Sequence, residues 1–163
     1  MSDQLTPQEI AWLDQEHRRV TETIRRYGIA AEYVIGDPPR RQPSFAYSIG
    51  LFGLGHPEVL VFGLNDANAG AVINDVAARV RAGSDLTVGE VLSFPGWAHR
   101  VSVAEVPNPG EVLFSANSYY DRPPFASVPA LQLIYDDIEG RFPWDEGYSR
   151  PRWLQPEPGT FRA

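Results

Sequence analysis

The sequence predicts an α+β fold: a single domain with a largely antiparallel sheet of five or six strands and two main helices. Three observations lead there. Apolar residues recur at helical intervals in two well-separated segments. Several shorter segments alternate bulky with small or polar residues. The 163 residues are 43% apolar, enough for one sizeable core but cramped for two.

The first helix is expected over about residues 7–27. Thr6-Pro7-Gln8-Glu9 places a hydroxyl at the N-cap, proline at the first helical position and glutamate three residues after the cap, the pattern of a capping box. Ile10, Leu13, Val20, Ile24 and Tyr27 then repeat at helical spacing, and Gly28 suits a left-handed stop. His17 falls on that stripe, as a pocket-lining base or a half-buried interfacial histidine.

Ile29 to Ile35 reads as a strand, and the proline-rich stretch 36–43 as a loop. In the next strand Phe45, Tyr47, Ile49 and Leu51 alternate with Ala46, Ser48 and Gly50, so one face is bulky and the other leaves room. A glycine-rich turn leads into Val59 to Leu64, an unbroken apolar run that suits a central strand buried on both faces.

Asn65 or Asp66 can cap a second helix, with Ala69, Val72, Ile73, Val76 and Val80 inward and Gly83 as its stop. Arg100 to Val106 and Ala130 to Tyr135 are further strands. Residues 107–110 and 136–141 are turns, and residues 111–120 fit no single pattern. The last dozen residues, rich in proline, should wrap the surface irregularly, so residues 1–163 are expected to form one globular domain.

Acidic residues outnumber basic ones by 21 to 14, for a net charge of −7, and that field repels a phosphate backbone; no nucleic-acid partner is expected. All basic residues are arginine, which removes Schiff-base and P-loop lysines. The absence of cysteine removes disulfides, thiolate nucleophiles and zinc ribbons. The first residues carry no basic and apolar leader, and no run approaches 18 apolar residues, so a cytoplasmic protein without a membrane span is expected, as a monomer or homodimer.

The blocks Ser44 to Leu51, Gly55-His56-Pro57-Glu58 and Val61 to Leu64 resemble the bacterial domain-of-unknown-function family 4262. The likeness returns at Leu131 to Asp137, Gly140 to Trp144 and Leu154-Gln155-Pro156, covering about residues 27–156. Where family members more often carry Trp-Pro-Asp, this chain has Tyr135-Asp136-Asp137. The resemblance implies a single-domain bacterial protein and brings no activity with it.

Among candidate site residues, His56 and Glu58 lie two apart at a strand entrance, where extended backbone would project both to one side as a base and its orienting carboxylate. The alternative is that both cap the glycine-rich backbone around them. His99 is the third candidate catalytic residue. A cysteine-free metal site would need His56 and His99 to converge with Glu58 or Asp137, which no spacing indicates, and no metal site is assigned. Gly50, Gly53, Gly55 and Gly63 do not make a dinucleotide fingerprint, because a strand follows them. Asp136 and Asp137 are adjacent, which suits capping of turn amides better than a shared-proton pair.

The C-terminal third interleaves Tyr, Phe and Trp with Arg122, Arg141, Arg150 and Arg152, a combination that lines ligand pockets and protein interfaces alike. The reading favoured is a binding domain for a small organic ligand, an acid–base enzyme in its fullest form. Its ligand-binding residues are Tyr47, Ser48, Arg141 and Trp144. An interaction or immunity-type module is the second reading, and it requires an exposed Trp144 or Trp153 and no enclosed cavity. A flavin-binding split barrel is the third, by analogy of element order alone. No cofactor is assigned.

Overall fold

The computed structural model describes residues 4–163. The first helix, α1, spans Pro7–Tyr27 with its capping box formed: the Glu9 amide donates to the Thr6 hydroxyl and the Thr6 amide to the Glu9 carboxylate. Gly28 ends it at φ +92°, as expected. Strands β1 (Ala30–Val34), β2 (Phe45–Ile49) and β3 (Glu58–Phe62) follow, then helix α2 (Asp66–Arg81) capped by Asn65. The hairpin of β4 (Val91–Phe94) and β5 (Trp97–Glu105), the short helix α3 (Phe114–Tyr119) and strand β6 (Ala130–Tyr135) complete the fold.

The six strands lie in the order β1-β2-β3-β6-β5-β4, antiparallel throughout except for the central pair β3 and β6, which is parallel. A parallel pair needs a crossover. Here α2 and the β4–β5 hairpin supply it. The architecture is the α+β domain the sequence predicts, with a third, short helix added.

Both faces of the sheet are covered. On one, α2 packs Val72, Ile73 and Val76 against Ala46, Val59, Val61 and Leu133. On the other, Phe45, Tyr47, Ile49, Leu60 and Phe62 meet Val20 of α1 and the segment from Val106 to Val128. This explains why every residue of β2, β3 and β6 is buried. It also corrects one expectation: the room beside Ala46 is filled by α2, and that beside Ser48 is taken by the Glu58 carboxylate, rather than left as a cavity.

The hairpin residues before position 100 are absent from the sequence expectations for physical reasons. In β4 only Leu92 is buried, so no alternation over a length that would register is present. In α3, Phe-Ser-Ala-Asn-Ser-Tyr offers six residues without a helical stripe. The tail from residue 151 is irregular apart from one short turn at Arg152–Leu154, yet Gln155 within it is buried. No helix among the described residues is long and apolar enough to cross a membrane.

Candidate functional site

His56 and Glu58 stand at the N-terminal end of β3, and they do not meet. The Glu58 carboxylate is fully buried and accepts four hydrogen bonds: from the Gly50 and Phe52 amides at one oxygen, and from the Ser48 hydroxyl and the Leu51 amide at the other. Burial pushes its carboxyl above the ordinary value, and the four donors pull part of that rise back. The Ser48 oxygen also accepts from the Val59 amide at 2.9 Å.

The His56 Nδ1 lies 2.7 Å from the Pro57 carbonyl, which can only accept, so Nδ1 carries the proton. Nε2 is then the acceptor for the Leu86 amide at 3.3 Å. Both ring nitrogens and all of Glu58 are engaged by the chain itself, which is the capping arrangement. Tyr47 is buried in the core, where its hydroxyl accepts from the Ser115 amide, and burial raises its phenol above the ordinary value. These four residues, His56, Glu58, Ser48 and Tyr47, are buried in the protein.

The other end of the central strand pair is built differently. β3 turns away at Gly63 into α2, while β6 continues to Tyr135, and a cleft of about 330 Å³ opens between them. Crevices at the carboxyl ends of parallel strands are recurrent ligand sites. His99 of β5 reaches this cleft, flanked by Trp97 with rings 4.8 Å apart and by the edge of Tyr135 at 5.6 Å. A tight turn with Gly96 at φ +74° and an irregular register between Ser93 and Phe94 set the angle of this hairpin end.

The His99 Nδ1 lies 2.6 Å from the Asp136 carbonyl oxygen and 3.2 Å from the Asp136 Oδ1. A carbonyl cannot donate, so the proton sits on Nδ1 and the Nε2 lone pair is free. Among the described residues nothing hydrogen-bonds Nε2. Asp136, its side chain only 2% exposed, is itself held by the Arg100 amide at 3.0 Å and by the Arg100 Nε at 3.2 Å. A fixed tautomer, a buried carboxylate behind it and one uncommitted nitrogen in a cleft are the parts of a general base.

Three further features shape the cleft. The first turn of α2 brings Asn65 and Asn68 to its wall, with the positive end of the helix dipole behind them. Arg150 also lines the cleft and forms no ion pair among the described residues. The Tyr135 hydroxyl, pushed up to about 12 chiefly by burial, stays protonated and donates to the Gly63 carbonyl at 2.8 Å. It thereby pins the loop between β3 and α2. Gly63 adopts φ +74°, and a Cβ there would stand 2.8 Å from both the Tyr135 hydroxyl and the Leu154 carbonyl.

The wall bearing Arg150 is held by Asp137. Burial raises its carboxyl, but donors from the Arg141, Ser149 and Glu139 amides and the Ser149 hydroxyl outweigh that and hold it at about 2. Asp136 and Asp137 thus serve different partners, as their adjacency implied. Gln155 completes the support. Its amide accepts from the Tyr135 amide and donates to the Tyr135 carbonyl, taking the place of strand pairing where β3 has left.

Arg141 and Trp144 lie apart from this cleft. Arg141 pairs with Glu139 at 2.7 Å and donates to the Gly147 carbonyl, so its guanidinium is occupied in its own loop. Trp144 is 58% exposed and stacks flat on Phe142 beside a shallow groove with Pro156 and Pro158. His56 and His99 sit at opposite ends of the sheet, so they cannot share a metal. Among the described residues no group of three or more histidines and carboxylates could hold one.

Of the residues assigned as catalytic or ligand-binding from the sequence (His56, Glu58, His99, Tyr47, Ser48, Arg141 and Trp144), only His99 lines the cleft. Asp136 as its partner was beyond sequence reasoning, because the β5–β6 register that joins them pairs residues 26 to 34 apart, Val101 with Tyr135 being the widest pair. Trp97 had a local signal, the Phe-Pro-Gly-Trp turn between two aromatic residues.

Comparison with curated proteins and with solved structures finds no match. The family model described as a domain of unknown function, DUF4262, matches residues 23–149, in line with the resemblance of the sequence blocks, and the chain belongs to that family.

Proposed function

We propose that the protein binds a small polar organic molecule in the cleft beside His99 and that the His99 Nε2 accepts a proton from it. The observation that carries this reading is the asymmetry of the imidazole: Nδ1 is locked by Asp136 and Nε2 is left over in the cleft. As Nε2 gains a proton, the carboxylate 3.2 Å from Nδ1 stabilises the imidazolium. Trp97 and Tyr135 supply apolar walls, and Arg150 with the α2 N-terminus favours an acceptor or anionic group on the ligand. No serine or threonine hydroxyl is bonded to Nε2 among the described residues, so the proton comes from the ligand or from water. The lack of cysteine suits a cytoplasmic setting.

Ring-nitrogen NMR spectra recorded against a panel of small carboxylates, phosphates and carbonyl compounds test it. The reading expects some members to shift the His99 ring and the Trp97 indole signals while leaving His56 in place, and expects the response to vanish in His99→Gln. A panel that moves neither signal, or moves His56 instead, overturns it.

One observation favours the interaction reading as a second: Trp144 is exposed beside an open groove. Loss of a partner on Trp144→Ala, with the His99 signals unchanged, would distinguish it.

A further inference from the structure

Helix α1 is longer than the surface it packs on. Of its apolar residues Val20 alone is buried, and towards the N-terminus Ile10 and Trp12 stand in solvent. This overhanging half and α3 enclose an open groove of about 480 Å³. Its floor is Trp12, Leu13, Val20, Phe114 and Tyr119, with Trp12 60% and Phe114 52% exposed, and His17 closes it by stacking on Tyr119 at 4.7 Å.

The polar lining has one sign of charge. Asp14, Glu16 and Asp121 border the groove and no arginine does. Arg19 takes up part of Glu16, while Asp14 and Asp121 form no ion pair among the described residues. Asp121 is also one of two non-glycine residues at positive φ among the described residues, here +52°.

We propose that this groove docks a basic amphipathic peptide segment, with apolar side chains on the aromatic floor and Lys or Arg against the three carboxylates. Charge selects this occupant over a second copy. A twofold contact sets the same patch against itself, so Asp14, Glu16 and Asp121 would meet their own counterparts, which like-charge repulsion opposes. The chain's net charge of −7 adds to the attraction of a basic partner and to the repulsion of a copy.

Fluorescence anisotropy with a labelled synthetic amphipathic helix of Leu and Lys, at about 0.15 M salt, tests the proposal. One-to-one binding is expected. Trp12→Ala should weaken it about tenfold, and the pair Asp14→Asn with Asp121→Asn about fivefold. The pair Glu105→Gln with Glu146→Gln, which changes net charge equally but lies outside the groove, should leave it unchanged. All these side chains are on exposed residues, and unchanged thermal melts confirm that the variants fold. The proposal fails if the Leu–Lys helix does not bind, if a Leu–Glu helix binds as well, or if both charge pairs weaken binding equally. A dimer in sedimentation velocity that Trp12→Ala dissociates would also overturn it, by showing that a second copy covers the groove.

Discussion

The two ends of the central strands β3 and β6 each hold a histidine and a buried carboxylate, and they do opposite things with them. At the entrance of β3, Glu58 gives its oxygens to three backbone amides and one hydroxyl, and His56 gives each ring nitrogen to a neighbouring backbone group. At the exit of β6, Asp136 holds only one side of His99, and the other side faces a cleft. The difference teaches that a buried titratable group marks a site when an atom is left over. Where every lone pair and proton is used by the chain, the same residue types are part of the fold's support.

The largest effect that would break the comparison lies at the closed end. Glu58→Ala strands four donors, three of them backbone amides that cannot turn elsewhere and all but the part-buried Phe52 amide fully buried, and should cost roughly 3–5 kcal/mol in urea unfolding. A loss below about 1 kcal/mol would mean that the carboxylate is not a support. Gly63→Ala comes next, at the open end. The new methyl meets the Tyr135 hydroxyl and the Leu154 carbonyl with the backbone at positive φ, so about 1–3 kcal/mol is expected, together with shifted Trp97 signals as the cleft wall moves.

A third effect is confined to acid. Asp137 is depressed to about 2, so its contribution is fully present above the ordinary aspartate pKa and is lost as pH falls through the folded value. Acid titration of wild type should therefore loosen the 137–149 turn between about pH 4 and pH 2, and Asp137→Asn should remove that dependence. The smallest effect sharpens the contrast most. His99→Gln should change stability by about 1 kcal/mol or less, because Arg100 still holds Asp136, yet abolish ligand response in the cleft.

Much of the scaffold was legible in the residues. The capping box at Thr6, the stop at Gly28, the Asn65 cap and the bounds of β6 are local signals, each carried by a few adjacent side chains. The alternation in β2 showed its two faces but not what fills the small one, since α2 packs there by tertiary contact. The site was legible only in part. His56 and Glu58 drew notice because they are close in sequence, and that closeness is what lets them cap one turn. His99 finds Asp136 across a strand register 37 residues away, and Gln155 finds Tyr135 from the tail. Such pairings follow from the sheet order, which no window of sequence contains.

The open and closed ends differ in the availability of their imidazoles, and carbethoxylation reads that directly. Native protein treated with diethyl pyrocarbonate and mapped by peptide mass spectrometry should be modified at His99, and at exposed His17 as an internal reference, while His56 stays intact until the protein is unfolded. Modification of His56 at the rate of His99, or protection of His99 in the native state, would contradict the assignment of the open and closed ends.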